Sequence, residues 1–251
     1  MATERNNDWD PESYASFRGL RLRPALGLLA QVGTVPDGDI IDLGCGDGAL
    51  GPALRQRFKQ RTLIGVDTSE TMLAKASGYD ALVQADVAQW VPKTPPALVF
   101  SNACLNWLPD HPTLLNHLID LLAPGGTLAV QMPRQFDAPS HALLWKVAGV
   151  HDFTPPVAEP HVYMRLLQEA GEVSVWESEY LQSLAAVEQG HPVRHFTQST
   201  VMRPYVENLP QNAEADFLSR YEEASDAAYP KERDGSVLFA FKRLFFVLRK
   251  S

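Results

Sequence analysis

The sequence has few cysteines and no long hydrophobic segment. Its two cysteines, Cys45 and Cys104, are too few for a disulfide framework or a cysteine zinc site, and both stand in apolar surroundings. No apolar run approaches the roughly 20 residues of a membrane-spanning helix. The first residues, MATERNNDWDPESY, contain no hydrophobic stretch like that of a signal peptide. We therefore expect a cytoplasmic protein that has no metal centre and does not enter a membrane.

Basic residues are in the minority. The chain has 22 Lys and Arg against 30 Asp and Glu, a formal net charge of −8. Nucleic acids and acidic membranes are bound through basic surfaces, so this balance disfavours both as partners. A small anionic substrate is compatible with this charge, but its binding site would need a local group of arginines. The 251 residues, 45% of them hydrophobic, are typical of a globular protein with a substantial core.

Short apolar runs alternate with helical stretches between residues 40 and 133. This alternation, with near-continuous apolar strands, predicts a parallel sheet covered by helices on both faces. We assign residues 36–133 to that core, and residues 1–35, which have helical spacing, to an N-terminal helical segment. The predicted strands are DIIDLG, TLIGVD, ALVQAD, ALVFSN and TLAVQMP.

The pattern changes in the remaining region, residues 134–251. Several prolines precede a predicted helix at 161–170, which leads into the alternating strand VSVWESEYLQSL. The chain closes on VLFAFKRLFFVLRK, an aromatic-rich strand. Residues from about 186 to 235, between the two strands, are predicted to be mostly helical. We interpret them as a cap that stands outside the sheet.

The stretch IIDLGCGDG runs from a predicted buried strand into a glycine loop. Gly44, Gly46 and Gly48 allow the backbone to turn tightly and to approach a ligand closely. In open parallel sheets, ligands bind where such a loop leaves the carboxyl end of a strand. Three alternate glycines are weak evidence alone, because a glycine-rich turn without a ligand has the same pattern.

Acidic residues in and after the loop narrow the kind of ligand. Asp67 ends the second strand 19 residues after Gly48, where its carboxylate can accept hydrogen bonds from both hydroxyls of a ribose. Asp86 follows the third strand after 19 more residues, placed to accept from an adenine amino group. An ordinary strand-end acid is the alternative for each. Asp42 and Asp47 make the loop acidic, which favours a ligand with a positive end over a phosphate.

DLGCGDG, with GVD and QAD at these spacings, resembles the class I S-adenosylmethionine-dependent methyltransferases. The resemblance implies an α/β fold with a Rossmann-like sheet of seven strands, mostly parallel with the last antiparallel, N-terminal helices and a helical cap insertion. It implies S-adenosyl-L-methionine as the cofactor. The implied cofactor-binding residues are Asp42, Gly44, Gly46, Gly48, Asp67, Thr68, Asp86, Val87, Ser101 and Trp107.

Three of these residues have roles that come from the resemblance alone. Val87 would frame the adenine together with Asp86. The backbone carbonyl of Ser101, at the end of the fourth strand, would accept from the methionine ammonium group. Trp107 would pack near the cofactor, although a core tryptophan on a helix face explains it equally well.

Segments outside the cofactor motifs resemble the trans-aconitate 2-methyltransferases over nearly the whole chain. They include DWDPESYASFRGLRLRPALGLL, NWLPDHPTLL, PHVYMRLL, MRPYVENL and AFKRLFFVLRK. The implied reaction transfers a methyl group to one carboxylate of trans-aconitate and yields a monomethyl ester and S-adenosylhomocysteine. A carboxylate is already ionised at neutral pH, so we expect no catalytic base, only positioning.

A tricarboxylate substrate calls for anchoring groups, and arginine binds carboxylates through two parallel hydrogen bonds. Arg203 in MRPYVENL is the leading candidate, although most arginines are solvated surface residues. His161 follows Pro160 and has an alternative role as the start of a helix. The predicted substrate-binding residues are Tyr14, Arg21, His161, Tyr163, Arg203 and Tyr205.

Two other classes of function stay open. A carboxyl methyltransferase for another small acid, or for an acid bound to acyl carrier protein, would share the cofactor half. An enzyme for the carrier-bound acid should display a basic docking surface for the acidic carrier protein. A protein that binds S-adenosylmethionine without turnover would have a closed, apolar pocket. A nucleic-acid methyltransferase is disfavoured, because SNAC follows the fourth strand where an NPPY-like tetrapeptide would be expected. The oligomeric state stays open.

Overall fold

A computed structural model describes residues 18–150, 153–198, 200–207 and 209–251. The predicted substrate residue Tyr14 and the side chain of Arg21 lie outside this description. Seven strands form one sheet in the order β3-β2-β1-β4-β5-β7-β6. They are β1 (Ile40–Leu43), β2 (Leu63–Asp67), β3 (Ala81–Gln84), β4 (Leu98–Asn102), β5 (Thr127–Pro133), β6 (Gly171–Leu184) and β7 (Val237–Lys250).

One described helix precedes β1, and the others lie between strands along the chain. They are α1 (Arg18–Gln31), α2 (Gly51–Arg57), α3 (Glu70–Leu73), α4 (His111–Leu121), α5 (Pro139–Ala148), α6 (Pro160–Leu167), α7 (Pro192–Gln198), α8 (Arg203–Val206) and α9 (Gln211–Ala228). A short 3₁₀ helix covers Leu105–Trp107. None of the described helices is long and apolar enough to cross a membrane.

The strand directions confirm the predicted fold class. β1 pairs in parallel with β2 and β4, while β3 and β5 extend the parallel ladder on either side. Lys250 N donates to Gly126 O and Arg134 N to Lys242 O, so β7 runs antiparallel to β5. The result is the expected seven-stranded, mostly parallel sheet with its last strand antiparallel.

The described residues divide into two compact units. The first takes those up to Pro133, then Pro156–Ser178 and Leu244–Ser251; the second takes those of Arg134–Pro155 and Glu179–Arg243. In the first unit every residue of β1 is buried, whereas β3 at the sheet edge is largely exposed. This difference accords with a central parallel strand that is covered on both faces.

Local signals define the helix that follows β4. Asp110 is the N-cap of α4, and its side chain accepts a hydrogen bond from Thr113 N at 3.3 Å. Pro112 lies in the first turn, where its missing N–H removes no helical hydrogen bond. These two features start α4 at His111. The short loop and the 3₁₀ helix that follow β4 lie before this start.

The second unit has its own hydrophobic core. Leu144 of α5 and Phe217 of α9 pack with Met202 and Tyr221. The Tyr221 hydroxyl donates to Ser140 O at 2.8 Å, so this buried polar group is satisfied. These contacts hold α5 and α9 together inside the second unit.

Candidate functional site

The carboxyl ends of four adjacent strands, β3, β2, β1 and β4, and the segments that follow them provide the predicted cofactor residues. Asp67 is the last residue of β2, the glycine loop begins directly after β1, and Ser101 is the penultimate residue of β4. Neighbouring parallel strands present their carboxyl ends at one edge of the sheet. Residues that are distant in sequence therefore come together in the first unit.

The glycine loop depends on positive φ angles that side chains rarely tolerate. Gly44, Gly46 and Gly48 have φ values of 77°, 55° and 76°. A Cβ atom at Gly44 would lie 2.3 Å from Cys104 Sγ, well inside van der Waals contact. Glycine is required at Gly44 both by its dihedral angle and by the neighbouring cysteine.

Asp67 is held in place by backbone hydrogen bonds to both of its oxygens. Gly46 N donates to Oδ2 at 2.8 Å, and Ser69 N donates to Oδ1 at 2.9 Å. A carboxylate has about four acceptor sites, so each oxygen can accept a further hydrogen bond. The arrangement suits a ligand that offers two neighbouring hydroxyl groups, such as a ribose.

Asp42 is enclosed rather than open at the mouth of its strand. It is 2% exposed, and the Tyr79 hydroxyl donates to its Oδ2 at 2.6 Å. Burial raises the pKa of Asp42 to about 7; the hydrogen bond from Tyr79 opposes this increase, and the charge of Asp67 adds to it. Tyr79 lies 37 residues from Asp42 and has no sequence motif of its own that would identify it.

Asp86 and Val87 occupy a turn just beyond β3. The Asp86 side chain is exposed, and its Oδ1 accepts from Ala88 N at 2.9 Å. Val87 is buried. The carbonyl oxygen of Thr68 accepts from Gln84 Nε2 at 3.2 Å, which links the loop after β2 to the end of β3.

Ser101 and Trp107 have different environments. Ser101 is fully buried, and its hydroxyl donates to Leu43 O at 2.9 Å, joining the ends of β4 and β1. Trp107 lies in the 3₁₀ helix and is 49% exposed, which does not fit a core tryptophan. Among the described residues, no group of three or more His, Cys, Asp or Glu side chains could hold a metal ion.

Comparisons with known proteins identify the family of this chain. A methyltransferase-domain family profile matches residues 14–185. A trans-aconitate 2-methyltransferase from Methylobacterium nodulans is 41% identical over 259 residues, covering 97% of this chain and 99% of that protein. One from Escherichia coli O1:K1 is 38% identical over 253 residues, covering 98% of this chain and 99% of that protein. The chain belongs to the trans-aconitate 2-methyltransferase family.

Solved structures support the fold. The YcgJ protein from Bacillus subtilis has a TM-score of 0.59 at 13% identity, covering 91% of this chain and 99% of that one. Phosphoethanolamine N-methyltransferase 2 from Haemonchus contortus, solved with S-adenosyl-L-methionine, has a TM-score of 0.53 at 15% identity. The match covers 91% of this chain and 53% of that one. At these identities the likeness concerns the fold only.

The predicted substrate residues of this trans-aconitate 2-methyltransferase family member lie in both units. In the second unit, Arg203 begins α8 and its Nε donates to Glu207 Oε1 at 2.6 Å. Tyr205, two residues along, is partly buried against the cluster formed by Leu144, Met202, Phe217 and Tyr221. Burial raises the pKa of its hydroxyl.

The two predicted residues of α6, in the first unit, differ in accessibility. His161 is exposed. Tyr163 is buried, and its hydroxyl lies 2.6 Å from His111 Nδ1 and accepts from Ala158 N at 3.2 Å. His111 Nε2 donates to Leu105 O at 2.9 Å, so in the neutral ring Nδ1 accepts the Tyr163 proton. Tyr163 therefore has no second proton to donate to a substrate carboxylate while this bond persists.

Proposed function

We propose that this chain is an S-adenosylmethionine-dependent carboxyl O-methyltransferase that converts trans-aconitate to a monomethyl ester and releases S-adenosylhomocysteine. The observation that carries the proposal is the Asp67 carboxylate at the end of β2, fixed by Gly46 N and Ser69 N beside the glycine loop. The substrate class is supported by relatives named trans-aconitate 2-methyltransferase that match nearly the full chain.

The first unit supplies the groups that would hold S-adenosylmethionine. We propose that Asp67 accepts from the two ribose hydroxyls and that Asp86, with the buried Val87, contacts the adenine. The backbone of Ser101 and the exposed ring of Trp107 would contact the methionyl part. The remaining proposed contacts are Asp42, Gly44, Gly46, Gly48 and Thr68.

The acidic character of this loop favours a cationic ligand over a phosphate. Asp42 and Asp67 are close enough for the charge of Asp67 to raise the pKa of Asp42. A positive group nearby would relieve this repulsion, whereas a phosphate would add to it. When bound, S-adenosylmethionine supplies a sulfonium-activated methyl group.

The proposed chemistry requires no general base from this chain. The acceptor is an ionised carboxylate at neutral pH, and formation of its ester releases no proton. The residues therefore have to orient one carboxylate oxygen in line with the methyl group and exclude water. For this reason we propose no catalytic residue.

Anchoring of the remaining carboxylates is the part of the proposal that depends on single side chains. We propose Arg203 as the main anchor, with Tyr205 and His161 as further donors. A guanidinium carries five N–H donors, of which the Nε–H of Arg203 goes to Glu207. We extend the proposal to Tyr14 and Arg21, as the resemblance of the N-terminal segment implies. A direct contact by Tyr163 would require its hydrogen bond to His111 to break.

Incubation with methyl-labelled S-adenosylmethionine and a panel of acids tests this function. The panel contains trans-aconitate, cis-aconitate, citrate, a dicarboxylate and an acyl-carrier-protein-bound acid. We expect label in an ester of trans-aconitate, with weaker transfer to the other small acids. Label only in another acid would refute the substrate but keep the methyl donor. Tight binding of S-adenosylmethionine without any transfer would favour the non-catalytic alternative.

A further inference from the structure

Tyr79, between α3 and β3, occupies space that three glycines leave empty. A Cβ atom at Gly51 would lie 2.9 Å from the Tyr79 Cε2 atom, and one at Gly48 would lie 3.0 Å from it. A Cβ atom at Gly65 would lie 3.1 Å from Tyr79 Cδ1. The aromatic ring is thus packed directly against the backbone of the glycine loop, of α2 and of β2.

Two of these glycines are not explained by backbone conformation. Gly51 begins α2 and Gly65 lies inside β2, and neither has a positive φ angle. Inside helices and strands, glycine is less favourable than alanine by roughly 1 kcal/mol. In a strand it often marks close approach of another group. For Gly51 that group is the Tyr79 ring together with the backbone oxygen of Ser77, which a Cβ atom would meet at 3.0 Å; at Gly65, Cys45 and Leu82 crowd the same space.

The hydroxyl of the same side chain reaches the acidic residue of β1. It donates to Asp42 Oδ2 at 2.6 Å. Burial raises the pKa of Tyr79, so the hydroxyl keeps its proton and remains a donor near neutral pH. Within the described part of the chain, no other hydrogen bond reaches the Asp42 carboxylate. One tyrosine therefore contacts both the loop backbone and the buried acid.

We propose that Tyr79 is a positioning residue for cofactor binding. Its ring sets the path of the backbone from Gly48 to Gly51, and its hydroxyl fixes the orientation of the Asp42 carboxylate. The inference rests on the proposed function, because it assumes that the loop binds S-adenosylmethionine. Tyr79 itself acts through Asp42 and the loop rather than by touching the reacting atoms.

Substitutions at Tyr79 separate the two parts of this role. Tyr79→Phe keeps the ring and removes the hydroxyl, and we expect the Kd for S-adenosylmethionine to rise roughly 3- to 10-fold. Tyr79→Leu also removes the ring, and we expect a larger increase. In both variants the KM for trans-aconitate should change less than about two-fold, because the proposed contacts are to the cofactor loop.

A double-mutant cycle with Asp42→Ala tests whether the hydroxyl acts through Asp42, because alanine has no oxygen to accept its hydrogen bond whereas asparagine would keep one. We expect Tyr79→Phe to have little further effect on the Kd in the Asp42→Ala background, because the acceptor is already absent. Tyr221→Phe is the matched control, since its buried hydroxyl donates to Ser140 O in the second unit. It should lower the melting temperature without changing the Kd for S-adenosylmethionine.

The outcomes distinguish this inference from the proposed function. If Tyr79→Phe lowers the melting temperature as Tyr221→Phe does but leaves the Kd unchanged, the positioning role is wrong. Independent, additive effects of Tyr79→Phe and Asp42→Ala on the Kd would also overturn it. Failure of the wild-type protein to bind S-adenosylmethionine in calorimetry would instead refute the proposed function, and the inference with it. Tyr79→Phe decides the question even if Tyr79→Leu does not fold.

Discussion

The backbone N–H of Gly46 donates a hydrogen bond to Asp67 Oδ2 across 2.8 Å and joins the glycine loop to the end of the neighbouring strand. These residues are 21 positions apart in the sequence. With Ser69 N on its other oxygen, the carboxylate is oriented by the fold itself. Such preorganisation reduces the entropy that a ligand loses on binding, because the acceptor geometry is already in place.

Removal of the Asp67 carboxylate should weaken cofactor binding specifically. We expect Asp67→Ala to raise the Kd for S-adenosylmethionine by at least roughly 30-fold, because charge-assisted hydrogen bonds to two hydroxyls are lost. Isothermal titration calorimetry gives the Kd directly. Asp37→Ala is the control, since Asp37 is a fully exposed acid paired with Arg61. A similar Kd for both variants would mean that Asp67 does not contact the cofactor.

A methyl group at Gly44 should disrupt the loop. Its Cβ atom would lie 2.3 Å from Cys104 Sγ and 2.4 Å from Cys104 Cβ, at a φ angle of 77°. We expect Gly44→Ala to lower the melting temperature and abolish S-adenosylmethionine binding. Cys104→Gly in the same chain removes the clash but not the strain at positive φ, so it should restore stability only in part. No recovery at all would mean that dihedral strain alone accounts for the defect.

The buried Asp42 should make stability fall as the pH rises. Its pKa is about 7 in the fold against 3.8 for a free carboxyl group, so only the unfolded chain is ionised between these values. The contribution of Asp42 to the free energy of unfolding therefore decreases as the pH rises from about 4 to 7. Above about pH 7 it changes no further. The free energy of unfolding of Asp42→Asn minus that of wild type should therefore increase by on the order of 2–3 kcal/mol from pH 5 to pH 8.

Denaturant unfolding of ligand-free protein measures this difference at both pH values. The comparison between the two proteins cancels the titration of all other groups that the substitution does not disturb. An equal difference at pH 5 and pH 8 would contradict a raised pKa for Asp42.

Arg203 should affect the acid substrate and not the cofactor. We expect Arg203→Ala to raise the KM for trans-aconitate roughly 10-fold or more, because a bidentate carboxylate contact is lost. Arg220→Ala is a matched control, since Arg220 pairs with Asp216 at 2.9 Å through the same helical spacing. Steady-state kinetics with each substrate varied in turn separates the two KM values. Equal increases in the KM for trans-aconitate and in the KM for S-adenosylmethionine would mean that Arg203 does not act as a substrate anchor.

The buried Tyr163 should contribute to stability more than to substrate binding. Tyr163→Phe leaves His111 Nδ1 and Ala158 N without their partner, which costs about 1–3 kcal/mol for a buried group. We expect a lower free energy of unfolding and a KM for trans-aconitate within about two-fold of wild type. A large increase in that KM with unchanged stability would support direct substrate contact by Tyr163.

Much of the fold and part of the candidate site were accessible from the sequence. Alternation of apolar strands with helices predicted the parallel sheet, and the aromatic segment before Lys250 predicted the closing strand. Asp67 lies at the end of β2 and Asp86 just beyond β3, as their spacing after the glycine loop indicated. Such predictions succeed because strand periodicity and turn residues are local, and parallel strands share one edge for their carboxyl ends.

Only the tertiary structure decided which polar side chains form hydrogen bonds with each other inside the fold. Tyr79 and Asp42 are 37 residues apart, and His111 and Tyr163 are 52 residues apart. No local pattern predicts such pairs, because they form when distant elements pack and each buried polar group must find a partner. The sequence by itself determined the sheet and the acids at its edge. Packing decided that Asp42 is buried beneath Tyr79 and that the hydroxyl of Tyr163 is directed to His111.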